Sequence, residues 1–582
     1  MNRRSFLQKA SLAAAGTAAA AVPVLAKAAP RRPNFVLVLA DDMGYSDAGC
    51  FGGEIDTPNI DALAHGGTKF NTMYSTGRCG PSRNCLLTGM YAQQTAADVM
   101  TPGKIPNYTH FLPEYLKTQG YRSYHSGKWH FRISPRAGGV GFDRSYTMLD
   151  ESRFFTQENH QLDDVTLPRP DPGYYSTTAI ADYAIDFLKD HDKNHHQDPF
   201  FLFLAFHAPH FPLQAPQADI DRYHDRFQEG WDVVRTRRHK RMMEMRLINC
   251  PLAPMEPAIF PNWNLPVAEL QRRIGPGEVG RAVAWESLTE EQKKLHRIKM
   301  AIHAAMITRL DTETGKVIRQ LKSMDIFDDT VVIFLSDNGA SAEEIIRGDG
   351  HDPSAPPGSA KTFLSIGPGW ATAADTPFRL HKSWVHEGGI SSPMVVSWPS
   401  GIQKGGQLRT DPCHFVDILP TMVDLAGGDQ KSLAPDGPPL SGKSLAPAIR
   451  NATPIRRDSI YFNHSNNRAL RDTDWKLVAK GAEGLWELYD MRTDRSESNN
   501  LGATQPERVR VMAAEWKEKD DLWTHQREAA PATTKHRMPV SAGAMEQEPG
   551  EKGRPLPQRA ATATTTTVQP RQYGQEATLT LH

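Results

Sequence analysis

The 582-residue chain has little cysteine, no excess of either charge and no long apolar run beyond its N-terminal segment. Five cysteines are too few for a disulfide-built scaffold. Lys+Arg and Asp+Glu stand at 67 each, which argues against a nucleic-acid partner held by bulk positive charge. No stretch of about 18 strongly apolar residues comes after the N-terminus, so the mature protein is expected not to span a membrane. At 39% hydrophobic and 23% charged, the composition excludes collagen-like, coiled-coil and wholly disordered chains. The length allows several domains of about 100–200 residues, or one large α/β domain with an appendage.

Residues 1–28 read as a signal peptide. Arg3-Arg4 precede Ser5, Phe6 and Leu7, an uncharged Ala-rich stretch runs from Ala10 to Ala26, and Ala26-Lys27-Ala28 fits a small-x-small cleavage site. The paired arginines are similar to a twin-arginine export signal. That likeness implies passage in the folded state, the twin-arginine export machinery as a partner, and a periplasmic or secreted location. Cleavage removes Arg3, Arg4, Lys9 and Lys27 and no acid, leaving a slightly acidic mature chain.

Three apolar runs organise the mature chain: Phe35 to Ala40, ending in Asp41-Asp42; Phe200 to Phe206, ending in His207 and His210; and Val331 to Leu335, ending in Ser336-Asp337-Asn338-Gly339. Such runs, without polar alternation, predict strands buried on both faces of a mostly parallel sheet. Met394 to Trp398 is a fourth candidate. Between them, Thr57 is placed to cap a helix with Pro58 at its first position, burying Ile60, Leu63 and Ala64 and stopping at Gly66-Gly67. Another helix is expected over 111–117. Tyr175, Ala179, Tyr183 and Phe187 share a helical face, and Thr289 to Gln292 forms a capping box before a long helix. Alternating strands and helices predict a large α/β domain over residues 33–455, with ligands outside the carboxyl ends of the strands, where the polar clusters fall.

From residue 456 short strands are expected around 459–462, 468–470, 475–479 and 485–489, with a helix over 506–523. These predict a small antiparallel sheet plus helix over 456–526. Residues 527–582, rich in Ala, Thr, Pro and Gln, read as a disordered low-complexity tail.

Cys79-Gly-Pro-Ser-Arg83 places a cysteine at an expected helix N-terminus, where free N–H groups favour a negative centre. On these five residues alone, a nucleophile, a structural thiol and half a disulfide are equally open. Asp41-Asp42 and Asp337-Asn338 are oxygen-rich pairs at two strand ends. Each alone would suit a turn; together they suit a hard cation, Ca²⁺ or Mg²⁺, rather than zinc.

Cys79-x-Pro-Ser-Arg83 followed by Leu86-Leu-Thr-Gly89 resembles the signature of the sulfatase family, in the form whose cysteine is oxidised to formylglycine. Thr57 to Ala64, Gly66, Phe70 and Tyr74 resemble the approach to it, and the likeness extends over residues 33–523, most like bacterial arylsulfatases. It implies an alkaline-phosphatase-like architecture and hydrolysis of sulfate monoesters, aryl sulfates or sulfated carbohydrates. It also implies a Ca²⁺ ion, with Mg²⁺ second, held by Asp41, Asp42, Asp337, Asn338 and the converted Cys79, and a formylglycine-generating enzyme as a partner. Gly127-Lys-Trp-His130 resembles the motif in which Lys128 contacts a sulfate oxygen and His130 orients the nucleophile. Ala208-Pro-His210-Phe-Pro212 resembles the element supplying a proton donor to the leaving group. Pro377 to Lys382, with Glu387-Gly-Gly389, resembles the segment bringing Lys382 to the sulfate, and Arg83 completes the set. Ser391-Ser392 stand where the family often has arginine, while Arg379 and His386 are candidates for the substrate mouth. With Cys79 converted, Cys50, Cys85, Cys250 and Cys413 could form two disulfides or none. Two other functions fit the scaffold: a phosphodiesterase or phosphonate monoester hydrolase, and a noncatalytic secreted binding protein.

Overall fold

The computed structural model describes residues 32–535, except 99–103, 132, 150–152, 171, 349 and 436. The signal peptide expected over 1–28, and the tail beyond 535, lie outside the described residues.

Eleven strands form one sheet: β1 (Asn34–Ala40), β2 (Thr68–Tyr74), β3 (Arg122–Lys128), β4 (Arg144–Met148), β5 (His160–Leu162), β6 (Val165–Thr166), β7 (Phe200–Ala205), β8 (Thr330–Ser336), β9 (Ser391–Ser397), β10 (Gln407–Arg409) and β11 (Cys413–His414). Their order is β10-β2-β9-β8-β1-β7-β3-β4-β5-β6, with β11 also on β2. The centre, β8-β1-β7-β3-β4, is parallel throughout. β9 runs antiparallel to both β8 and β2. The three apolar runs are thus the middle of the sheet, where both faces are covered. Alternate residues of β1 go to opposite cores: Val36 and Val38 to one, Phe35, Leu37 and Leu39 to the other.

Helices cover both faces. The helix Pro58–Gly66 buries Ile60, Leu63 and Ala64 as expected. Thr57, however, does not cap it; its hydroxyl accepts from Gly49 N at 2.9 Å and donates to Asp61 Oδ1 at 3.1 Å. The helix Glu290–Ser323 does open on the expected capping box, Gln292 N donating to Thr289 Oγ1 and Thr289 N to Gln292 Oε1. In Ser176–His195 the periodicity is right but the buried face is shifted, to Ile180, Ala184, Phe187, Leu188 and His191, leaving Ala179 and Tyr183 half-buried.

Strands β12 (Ile460–His464), β13 (Asn467–Arg471), β14 (Trp475–Ala479) and β15 (Glu487–Asp490) form an antiparallel meander. The helix Pro506–Ala529 packs on it through Met512, Trp516 and Trp523, in the same core as Leu86 and Phe415 of the large domain. Order extends past residue 526, where the tail was expected to begin. Asn107 N donates to Pro531 O and Thr533 N to Ile105 O, so residues 527–535 are tied to the large domain.

Candidate active site

Strand order brings four polar ends together. Ala40 pairs with Ser336, so Asp41-Asp42 and Asp337-Asn338 emerge side by side. Asp337 N donates to Ala40 O at 3.1 Å and Asp42 N to Asp337 Oδ1 at 3.3 Å. Asp42 lies in the left-handed region at φ 63°, a conformation that aspartate tolerates better than most residues. β3, two strands over, ends at Lys128, and β7 leads into His207 and His210.

Cys79 is the first residue of the helix Cys79–Thr88, which stops at Gly89 in the left-handed conformation. Arg83, one turn on, shares its face. The arginine is fully buried and reaches Asp337 Oδ2 through Nε (2.9 Å) and Nη2 (2.8 Å), and Asp41 Oδ2 at 3.3 Å. Lys128 Nζ is 2.6 Å from Asp41 Oδ2. Lys382 Nζ is 2.9 Å from Asp42 Oδ2, and Asn338 Nδ2 donates to Asp42 Oδ1 at 2.6 Å. His210 Nε2 lies 3.6 Å from Asp42 Oδ2, with Nδ1 against Phe211 O at 2.6 Å. A side chain at Gly80 would meet the His130 imidazole at 3.4 Å, placing His130 beside the cysteine's neighbour. Cys79 is close enough to Asp337, Arg83 and Lys382 to act on each electrostatically. Every residue singled out in the sequence as catalytic or metal-binding therefore falls at this one sheet edge.

The charges do not balance by themselves. Burial would push the Asp41 carboxyl up, but Lys128, His210, Arg83 and Lys382 together hold it well below the usual range. Asp42 is pushed up by burial and by Asp41, against the pull of Lys382. Asp337 is raised further, by burial and repulsion from Asp41, despite Arg83. Asp41 Oδ1 and Asn338 Oδ1 are buried with no hydrogen-bond donor among the described residues. One oxygen each of Asp41 and Asp42 and a nitrogen of His210 lie within 4.8 Å of one another. Unsatisfied hard oxygens among crowded carboxylates fit a divalent cation of the Ca²⁺ or Mg²⁺ type.

Two sequence expectations are corrected. Arg379 does not face a substrate mouth: it bonds Glu256, Glu487 and Tyr489, and is committed to the C-terminal sheet. His386 is fully buried and lies 3.6 Å from Glu487. His207 stacks on Phe154 at 4.5 Å between ring centroids and is structural. Ser391 and Ser392 serve local bonds, to Glu387 and Ser336. All five cysteines are free thiols, so no disulfide forms among Cys50, Cys85, Cys250 and Cys413.

One charged residue at the site escapes a reading of the sequence. Glu343, fully buried, lies 3.2 Å from Lys382 Nζ, 3.4 Å from Arg78 Nη2 and 2.7 Å from Trp263 Nε1. The only local hint is an acidic pair, Glu343-Glu344, shortly after Asp337-Asn338, and such pairs are usually solvated.

The sulfatase family model matches residues 33–428, and the model for the C-terminal region of N-sulphoglucosamine sulphohydrolase matches 378–523. An arylsulfatase of Klebsiella aerogenes is 31% identical over 487 residues, 77% of this chain and 97% of that protein. An uncharacterized sulfatase of Schizosaccharomyces pombe is 30% identical over 545 residues, 84% of this chain and 94% of its own. A structure solved in complex with its substrate D-glucosamine-2-N,6-O-disulfate shares the fold, with a TM-score of 0.58 at 19% identity, covering 85% of this chain and 99% of that one. The sulfatase match spans most of the chain and the whole of its large sheet, and on that evidence this chain belongs to the sulfatases, hydrolases of sulfuric esters.

Proposed function

We propose that the chain hydrolyses sulfate monoesters at Cys79 after conversion of that residue to formylglycine. The observation that carries this reading is the position of Cys79, first in its helix, beside Arg83, Lys382 and the oxygen-rich strand ends. The hydrated aldehyde carries two hydroxyls on one carbon. One attacks sulfur and the bond to the ester oxygen breaks. Loss of the second hydroxyl's proton then reforms the aldehyde and expels sulfate, so the residue regenerates itself.

Asp41, Asp42, Asp337 and Asn338 would hold Ca²⁺, with Mg²⁺ second, together with residue 79. Such a cation supplies Lewis-acid polarisation of a sulfate oxygen. Lys128 and Lys382 direct positive charge at the transferring group, and Arg83 offsets the acids behind it. His210 acts as the proton donor to the departing ester oxygen. Its Nδ1 donates to the Phe211 carbonyl, so the ring acts as an acid in its doubly protonated form, giving up the hydrogen on Nε2, which is turned towards the site. His130 orients the nucleophile.

Aryl sulfates are the assay substrates of choice, and sulfated sugars are the second class. The test is peptide mass spectrometry of the segment bearing residue 79, from a host with a formylglycine-generating enzyme, alongside rates on sulfate and phosphate esters. Formylglycine at position 79 with a preference for sulfate supports the reading. A large preference for phosphate or phosphonate esters would move the chain to the phosphodiesterase class, and modified protein without hydrolase activity would make it a binding protein. The periplasmic or secreted location and twin-arginine export rest on Arg3-Arg4. Changing both to lysine should trap precursor inside the cell, and normal export of that variant would refute the assignment.

A further inference from the structure

We propose that Glu343 is a positioning residue of this active site: it fixes the Lys382 ammonium for the sulfate group and ties it to the segment that carries Trp263. The inference rests on the reading that Lys382 binds sulfate.

A sulfatase site must receive an anion, so a buried carboxylate there works against substrate binding unless it has another use. Glu343 is fully buried, and four cationic groups act on it: Arg78, Lys382, Arg347 and His210. Its two oxygens are divided. Oε2 takes Lys382 Nζ at 3.2 Å and the Ser341 hydroxyl at 3.2 Å. Oε1 takes Trp263 Nε1 at 2.7 Å and lies 3.4 Å from Arg78 Nη2.

Lys382 therefore bridges two carboxylates, Asp42 at 2.9 Å and Glu343 at 3.2 Å. An ammonium group has three N–H bonds. Two anchors on different elements fix the direction of the third, whereas a single anchor leaves the group free to swing about it. Without Glu343, the ammonium would collapse onto Asp42, away from the transferring group.

The Trp263 tie extends this control outward. Residues 263–265 are fastened along 342–344: Asn264 Nδ2 donates to Ala342 O at 2.9 Å, Glu344 N to Asn264 Oδ1 at 2.9 Å, and Leu265 N to Glu344 O at 2.9 Å. Trp263 is half-buried, with the Arg78 guanidinium 5.5 Å from its ring centroid. Arg78 in turn donates to Ser383 Oγ at 2.6 Å, next to Lys382. The segment 263–265 and the catalytic lysine thus share one carboxylate.

The experiment compares Glu343→Gln and Trp263→Phe with the wild type, as metal-loaded enzymes with residue 79 converted. It reads kcat and KM on 4-nitrophenyl sulfate, inhibition by inorganic sulfate, and the thermal midpoint. For Glu343→Gln, kcat should fall about 10- to 100-fold, the scale of a misplaced catalytic contact. KM and the sulfate inhibition constant should fall or hold, because a negative charge has left an anion site. Trp263→Phe, which removes only the indole N–H, should show a smaller loss in kcat at unchanged KM. A kcat of Glu343→Gln within about twofold of wild type overturns the proposal. So does a joint loss of rate, affinity and thermal midpoint, the mark of a merely structural residue. A Trp263→Phe loss confined to KM overturns the tie between Trp263 and the lysine. The wild type is assayed first: no sulfatase activity there would remove the reading of the site itself, whereas an active wild type with an indifferent Glu343→Gln removes only this inference.

Discussion

Two buried charge clusters of this chain are built to different ends. Around Glu387 the network is self-contained. Glu387 Oε1 holds Lys476 Nζ at 2.9 Å, while Oε2 takes Arg495 Nε at 2.7 Å, Tyr74 Oη at 3.0 Å and Ser391 Oγ at 3.1 Å. Lys476 also meets Glu497 at 2.8 Å, and Arg471 donates to Tyr74 Oη at 2.7 Å. Burial would raise Glu387, but Lys476, Arg495 and Arg471 hold it down at about 2. At the sheet edge the balance differs: Asp41 is held low by its cationic neighbours, but Asp42 and Asp337 are raised, and Asp41 Oδ1 and Asn338 Oδ1 have no donor among the described residues. A cluster that satisfies itself fastens the C-terminal sheet to the large domain; a cluster left short of positive charge is suited to receive a cation and an anionic ester. Perturbed ionisation marks both regions, so it is the unsatisfied carboxylate and amide oxygens that distinguish the site from the fastening.

The largest break of this comparison is Cys79→Ala. Removing the nucleophile should lower the rate on aryl sulfate by at least about 10⁴-fold. Stability should stay within about 1 kcal/mol, since the substitution removes a single heavy atom at the helix start, the sulfur or the aldehyde oxygen that replaces it. Steady-state assays and denaturant unfolding on one preparation check both halves. Activity surviving in the alanine variant would relocate the chemistry.

Next comes Asp42→Asn. Its activity should fall about 10²- to 10³-fold, as for loss of one electrostatic contact to the reacting group. The metal-stripped variant should unfold no more easily than metal-stripped wild type, because the change removes repulsion between Asp41 and Asp42. Added Ca²⁺ should raise the thermal midpoint of the wild type and do so less for the variant. Equal stabilisation of both by Ca²⁺ would take Asp42 out of the ligand set.

Much of this is legible in the sequence, for a physical reason. β1, β7 and β8 are buried on both faces, so they are written as unbroken apolar runs, and the polar residues ending them stand out. β2 and β3 are equally buried but carry polar residues that the fold satisfies internally: His125 Nδ1 meets Ser145 Oγ at 2.9 Å, Ser126 Oγ donates to Ile180 O, and Asn71 Nδ2 to Leu247 O. No run or alternation betrays them, and Lys128 and His130 are recognisable by motif alone. Glu343 escapes notice because its partners, Arg78, Trp263 and Lys382, come from three separated segments, a conjunction no local spacing records. Arg379 and His386 are misplaced for the same reason, their partner Glu487 lying in β15, about 100 residues on.

A substitution that should leave the rate unchanged sharpens the contrast from the fastening side. Glu387→Gln leaves Lys476, Arg495 and Arg471 with one carboxylate fewer in a buried interface, at a cost of about 3–5 kcal/mol. The ionisation of Glu387 gives an independent route to that figure. Its carboxyl lies at about 2 in the folded chain against an ordinary 4.5, a displacement worth about 3 kcal/mol. A depressed folded value means the stabilisation is fully present above pH 4.5 and is lost as pH falls towards 2. Wild-type stability should therefore drop across that window, and the glutamine variant should start lower and lack this part of the drop. Urea unfolding at intervals between about pH 2 and 7 measures both curves. Because Glu387 touches none of Asp41, Asp42, Cys79 or Lys382, the rate per folded molecule should be unchanged above about pH 5. A lowered rate with unchanged stability would mean that the two clusters are one.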